Sequence, residues 1–264
     1  MQFEATTGLT EWQWEELAVL VSDEIPARAA AGRPAALPPV QRVRLTLEHL
    51  RTNAAQQVLA EHYAVSQPTV SRTIKTVLPL IDKVLAGWDR GLQEINDAES
   101  LIVDGTLIPT GRRAGQQRLY NGKHKTHGVN VQVLCLLDGT PIWASPPLPG
   151  ADHDITCFRH HDLEAVFDTH TGLADSGYQG HATTGLTVPV KRAPHGELSE
   201  DRKAANTEHA SLRAPIEGVN AWLKSFKILA TRYRRTWNDL ELTIRCVFRI
   251  LRYRHFTGAN GEGL

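Results

Sequence analysis

The sequence predicts an α/β protein in which a mixed-sheet domain, residues 99–264, follows a small all-α region, residues 1–98. Three observations lead there. Up to about Asp97 the apolar residues recur at helical spacing. From Glu99 short β-branched runs take over, closed by Asp-Gly turn signals, and from Ala204 helical spacing returns. Glu11 to Glu24 reads as a first helix, with Trp12, Leu17, Leu20 and Val21 available for one face. Gly32-Arg33-Pro34-Ala35-Ala36-Leu37-Pro38-Pro39 cannot hold a helix, because its prolines remove donors and fix φ. Val40, Val43, Leu47 and Leu50 then form one stripe of an amphipathic helix, and Asn53–His62 and Gln67 to about Leu85 are two further helical stretches.

Behind them, Leu101-Ile102-Val103 reads as a strand ending in Asp104-Gly105. Val129 to Leu137 is a second strand ending in Asp138-Gly139, and it forms a hairpin with Pro141 to Ser145. Asp152 to Leu163 reads as helix, Leu173-Ala174 leads into Asp175-Ser176-Gly177-Tyr178, and Thr187 to Lys191 resembles one more short strand. Two helices close the chain, one from Ala204 and one from about Asn238 to Tyr253, giving the order β-β-β-α-β-β-α.

Composition narrows the function classes. The chain has 264 residues, 41% apolar and 22% charged, which is ordinary globular usage and excludes a disordered or collagenous chain. No apolar run reaches membrane-spanning length, and MQFEATTGLT lacks the basic start and hydrophobic stretch of a secretory signal. Three cysteines without a CxxC pair do not make a disulfide framework or a zinc ribbon. A soluble, cytoplasmic chain with no membrane partner is expected. Its formal charge of zero is unevenly spread: residues 1–98 carry 9 basic against 12 acidic residues, 99–201 carry 8 against 12, and 202–264 carry 12 against 5. A basic C-terminal quarter suits a nucleic-acid partner, and an acidic middle suits a divalent metal.

The stretch NAAQQVLAEHYAVSQPTVSRTIKTVL, Asn53 to Leu78, reads as two helices about a short turn. Ala54, Val58 and Leu59 pack inward on the first; Ser66 caps the second, where Pro68 is tolerated because first-turn amides lack partners. Val70, Ile74 and Val77 form the buried stripe, leaving Gln67, Thr69, Ser71, Arg72 and Lys75 outward, a polar set suited to phosphates and base edges. A helical hairpin that only packs on the main domain is the blander reading; VSQPTVSRTI, however, strongly resembles the recognition helices of helix-turn-helix proteins.

Asp104 and Asp175 each follow an apolar run, where each is either a turn former or a charge that needs a compensating ligand. Glu217 and Lys224 are seven residues apart and share a helix face beside the apolar stripe Ile216, Val219, Leu223 and Phe226; a solvated Glu–Lys face is the plainer explanation. If these carboxylates converge, their hard oxygens suit two Mg2+ ions working on a phosphodiester.

The stretches LIVDGT (101–106), YNGKHKTHGVNVQ (120–132), PPLPGADHD (146–154), LADSGYQG (173–180) and RAPIEGVNAWLKSFKIL (213–229) resemble transposases of the DDE type, in the insertion-sequence-five branch related to PIF/Harbinger elements. The similarity runs from about Thr52 to about Arg254. It implies an RNase H-like fold of a mixed sheet flanked by helices, preceded by a helix-turn-helix at about 52–78. It implies catalytic metal ligands at Asp104, Asp175 and Glu217, two Mg2+ ions that Mn2+ can replace, and Lys224 on DNA. Ala210 stands where the broader signature often has a Tyr, which touches DNA-end contacts and not the metal set; Pro215 is expected to start or kink its helix.

His153 and Asp154 are read as residues behind the ligands or on DNA, with a turn and helix-start role as the alternative. Lys123 and Lys125, in a cluster with His124 and His127, and Arg213 are taken as DNA contacts. Arg232, Arg234, Arg235, Arg245, Arg249, Arg252 and Arg254 suit phosphate neutralisation. The expected activity is that of a transposase that binds terminal inverted repeats and joins cleaved ends to target DNA, as a homo-oligomer in a synaptic complex. A domesticated, non-catalytic DNA-binding protein and a metal-dependent endonuclease without strand transfer are the rival readings.

Overall fold

The computed structural model describes residues 2–26, 35–89, 91–92, 95–96, 99–112, 116–192 and 196–258. Gly32, Arg33 and Pro34 of the expected break, and Asp97 at the end of the expected helical region, lie outside the described residues. In chain order the helices α1 (Gln2–Thr7), α2 (Glu11–Glu24), α3 (Pro39–Thr52), α4 (Gln56–His62) and α5 (Gln67–Val84) come first. Strands β1 (Leu101–Pro109), β2 (Tyr120–Asn121), β3 (Thr126–Leu136), β4 (Pro141–Ala144) and β5 (Leu148–Pro149) follow, then α6 (Asp154–His160) and α7 (Leu163–Thr169), β6 (Gly172–Leu173) and β7 (Leu186–Thr187). The chain ends in α8 (Glu200–Ser225), α9 (Lys227–Ala230) and α10 (Leu240–Gly258). It divides into two compact units, Met1–Asp89 with Leu223–Leu264, and Arg90–Trp222.

The first unit is helical. In α2 the buried face is Gln13, Trp14, Leu17, Ala18 and Val21, so Trp12 and Leu20, expected inward, face out. Gln13 sets that choice: its side chain accepts from the Thr10 backbone N–H and donates to Thr257 Oγ1 at 2.8 Å, which turns the helix a notch from the purely apolar stripe. Ser66 caps α5 as expected, accepting from the Thr69 amide, and Pro68 sits in its first turn. Leu45, Leu59, Ala60, Val70 and Ile74 form the core beneath α4 and α5; Val58, expected there, is 56% exposed because Leu59 and Ala60 take the inward positions.

The C-terminal helices belong to this unit and not to the sheet, which is where the structure departs from the sequence division. α10 buries Leu240, Ile244, Val247 and Leu251, and its arginines tie it to α5. Arg245 and Arg249 both reach Asp82 at 2.9 Å, Arg249 also reaches Asp89 at 3.1 Å, and Arg252 is buried and donates to the Trp88 carbonyl. Arg254 pairs with Glu4 at 2.7 Å and Arg235 with Asp239 at 2.9 Å. Most of the arginine row expected on phosphates therefore holds helices together, since a half-buried guanidinium needs a fixed acceptor. Arg232 and Arg234 remain exposed.

The second unit is built on a mixed sheet of order β2-β3-β1-β6-β7, with β4 and β5 also pairing with β3. β1 and β3 are antiparallel over their whole length, from Leu101↔Leu136 to Pro109↔Gly128, whereas β6 joins β1, and β7 joins β6, in parallel. Asp104-Gly105 therefore lies in the middle of a nine-residue strand and is not a turn. The β3–β4 hairpin forms as expected; β2 and β5 are two-residue strands with no periodicity for the sequence to show. The expected helix Asp152 to Leu163 is the shorter α6, and past Asp162, whose φ is +53°, a further helix, α7, follows that the sequence reading did not include. Leu101, Val103, Leu134, Phe158, Phe167, Ala174 and Tyr178 form the core, each buried large side chain contributing roughly 1.5–3 kcal/mol. α8 starts earlier than Ala204 and carries Pro215 inside it without ending.

Candidate functional site

In the second unit, β1 presents Asp104 opposite Val133 of β3, and Asp175 lies just past the end of β6. Asp175 begins a tight turn whose Gly177 amide donates to its Oδ1 at 2.6 Å. α8 contributes Asn220, whose Nδ2 donates to Asp104 Oδ2 at 2.8 Å, and Arg213, whose Nη2 lies 3.5 Å from Asp104 Oδ1. Arg213 and Asn220 are seven residues apart, so they share a stripe of the helix. Glu217 lies on that stripe between them, exposed to solvent.

Asp154, at the start of α6, joins the same cluster. A Cβ on Gly105 would lie 2.0 Å from Asp154 Oδ1, and one on Gly177 would lie 2.8 Å from Asp175 Oδ1 and 3.1 Å from Asp154 Oδ2. A side chain at either glycine would press on a carboxylate, most sharply at Gly105. Burial pushes the Asp104 carboxyl up to about 6, against the pull of Arg213 and with the charges of Asp175 and Asp154 adding to the rise; Lys123 lies near enough to pull it down. Among the described residues, no three His, Cys, Asp or Glu side chains are gathered so as to hold a metal ion. Asp104 is instead engaged by Arg213 and Asn220. In chemistry alone, carboxylate oxygens and the Asn220 Oδ1, buried without a hydrogen-bond partner, are the donor types a hard divalent cation takes, though the described residues are not gathered to hold one here.

The other expected residues fall in distinct places. Lys123 and Lys125 are exposed in the turn after β2, His153 is exposed at the boundary of α6, and Lys224 lies two turns beyond Glu217 on α8. In the first unit, Arg72 and Lys75 are exposed on α5, and Ser71 is half-buried. Gln67 is bonded to Gln56 at 2.6 Å and Thr69 to Ser66 Oγ at 2.9 Å, so these two also serve the turn. Sequence reasoning missed Asn130, Gln132, Tyr178 and Asn220. The signal for the first two was present: Gly128, Asn130 and Gln132 alternate with Val129, Val131 and Val133, placing a polar row on one face of β3.

Fold and site together define an RNase H-like unit bearing clustered aspartates, in a chain that also carries a helix-turn-helix. Residues 103–252 match the DDE superfamily endonucleases, and residues 35–87 match the helix-turn-helix of DDE superfamily endonucleases. The chain belongs to the DDE superfamily endonucleases. It is 30% identical, over 84% of its length and 83% of the relative's, to the transposase assigned to insertion sequence element IS112 of Streptomyces albus G. It is 23% identical, over 96% and 94% of the two lengths, to that assigned to insertion sequence element IS702 of Microchaete diplosiphon. Among solved structures, a piggyBac transposase in a synaptic complex with hairpin DNA aligns with a TM-score of 0.50 over 98% of this chain and 75% of that one; at 10% identity this speaks for the fold alone. The expected family and fold are thereby borne out. No helix among the described residues is long and apolar enough to cross a membrane.

Proposed function

We propose that this chain is the transposase of an insertion sequence, acting in the cytoplasm at the nucleoid. It binds the terminal inverted repeats of its element, hydrolyses phosphodiester bonds at the ends, and transfers the freed 3′ hydroxyl to target DNA. The observation that supports the reading is Asp104, held by Arg213 and Asn220 of α8 and raised by the charge of the nearby Asp175, in a chain of this family.

Asp104, Asp175 and Glu217 would hold two Mg2+ ions, for which Mn2+ can substitute; the ions, when bound, supply activation of the attacking oxygen and charge neutralisation at phosphorus. Arg213, Lys224, Lys123 and Lys125 hold the phosphate backbone by charge and hydrogen bonding. On α5, Gln67, Thr69, Ser71, Arg72 and Lys75 face the major groove, with Arg72 and Lys75 taking phosphates. Two ends must meet before joining, so the working form is a homo-oligomer.

Asp104→Asn, Asp175→Asn and Glu217→Gln are each expected to lower Mg2+-dependent cleavage of the element's own ends at least a thousandfold, with affinity for those ends within about threefold of the parent. Parent-like cleavage by any one variant removes that residue from the site. Cleavage by the parent without joining of pre-cleaved ends makes it an endonuclease only, and specific binding without any cleavage makes it a DNA-binding protein only.

A further inference from the structure

We propose, resting on the reading of α5 as the recognition helix, that Arg232 and Arg234 in the connection between α9 and α10 are a second DNA contact, holding backbone phosphates beside the bases that α5 reads.

The connection is fixed in place at two points. Tyr233 is 1% exposed, and its hydroxyl is hydrogen-bonded to Thr243 Oγ1 of α10 at 3.1 Å. At the start of the connection, Asn53 Nδ2 donates to Thr231 Oγ1 at 2.8 Å and to the Arg232 carbonyl at 3.1 Å. Asn53 is suited to that reach because it closes α3 with a left-handed backbone, φ +49°, which asparagine tolerates better than most residues. Arg232 and Arg234 are left exposed on either side of the buried tyrosine.

Charge singles out the same two residues. From Arg235 onward the C-terminal arginines are answered by carboxylates or, for Arg252, by a carbonyl. Neither Arg232 nor Arg234 pairs with a carboxylate among the described residues. The charge is felt in the helix behind: burial pushes the ring of His49, one turn before Asn53, down to about 4, and Arg235 and Arg234 add to the fall. An exposed guanidinium with no acidic partner is free to exchange its counterions for a phosphate.

Asn53 also ties this pair to the reading end of α5. Gln56, in the first turn of α4, stands three residues on, a span of at most about 11 Å. Its side chain accepts from Gln67, the first residue of α5, at 2.6 Å. A recognition helix meets base edges with its N-terminal residues, and phosphate contacts beside it fix its register without reading sequence.

The test is binding of the full-length protein to a labelled duplex of the element's terminal repeat, and to a scrambled duplex of equal length, across a salt series. It compares the parent, Arg232→Ala/Arg234→Ala, Arg72→Ala/Lys75→Ala and, as control, Lys83→Ala, a surface cation already paired with Glu24 at 2.6 Å. Thermal melting and hydroxyl-radical footprinting on the terminal repeat accompany each. Arg232→Ala/Arg234→Ala is expected to bind both duplexes about tenfold more weakly at about 0.1 M salt, with the slope of log affinity against log salt reduced by about two. It should melt with the parent and lose backbone protection only beside the stretch that α5 covers, and Lys83→Ala should match the parent throughout. A parent-like slope and footprint in Arg232→Ala/Arg234→Ala overturns the proposal and leaves the recognition helix standing. A loss confined to the terminal repeat, or an equal loss in Lys83→Ala, overturns it too, since the first means base reading and the second mere net charge. Parent-like binding by Arg72→Ala/Lys75→Ala removes the recognition helix, and this proposal with it.

Discussion

Asp104 is half-buried mid-strand with the charges of Asp175 and Asp154 acting on it, and its ionised form is the less stable one in the folded protein. Because its folded pKa is raised from 3.8 to about 6, the contribution of the protonated carboxyl is complete below about 4 and is lost as the pH rises through about 6. In EDTA the protein should therefore lose stability over that window, whereas Asp104→Asn, which mimics the neutral form, should not. Above pH 6.5 the variant should be more stable by about 1–3 kcal/mol, measured by urea unfolding at several pH values. A variant no more stable than the parent at pH 7.5 would show that Arg213 and Asn220 already offset the burial. A residue under this tension is legible in sequence only in part. Asp104-Gly105 carries the composition of a turn, and nothing local reveals that β3 pairs past it to Pro109 or that Gly105 is there to admit Asp154. Asp154, fifty residues away, reads in the sequence either as a residue behind the ligands or on DNA or as a helix start, and only the sheet decides between them by bringing it beside Asp104.

At the scale of elements, end signals served best where a single side chain makes the end. Ser66 and Pro68 place the start of α5 to the residue, and the Asp138-Gly139 turn places the β3–β4 hairpin. Pro215 does not start its helix, since a proline removes one amide but leaves the rest of a 26-residue helix bonded. The weld between α5 and α10 was invisible for another reason: arginines at helical spacing look the same whether they face phosphates or a buried carboxylate. Asp82, 8% exposed, accepts from both Arg245 and Arg249. Asp82→Asn is expected to destabilise the helical unit by about 2–4 kcal/mol, because it leaves two guanidinium groups half-buried with their shared charge gone. Denaturant unfolding followed by circular dichroism measures this; a change below about 0.5 kcal/mol would mean the arginines find water instead.

For the whole molecule, the charge ledger of the sequence and that of the folded chain differ, and the difference has a measurable consequence. The C-terminal excess of seven positive charges suggested a phosphate-binding face, yet Arg235, Arg245, Arg249 and Arg254 are ion-paired and Arg252 is buried. An arginine already neutralised by a carboxylate releases few counterions when DNA arrives, so it adds little to the salt dependence of binding. The exposed cations of the helix-turn-helix are different. Arg72 and Lys75 together should account for about two units of the slope of log affinity against log salt, at roughly 0.9 per phosphate neutralised. The double variant Arg72→Ala/Lys75→Ala should bind the element's terminal repeats more weakly, with the slope reduced by about two and the melting temperature unchanged. The variant Arg245→Ala should do the reverse, melting earlier with the slope intact. Fluorescence anisotropy on a labelled terminal repeat at four or more salt concentrations reads both. An Arg245→Ala slope reduced as much as that of the double variant would return α10 to the DNA-binding surface.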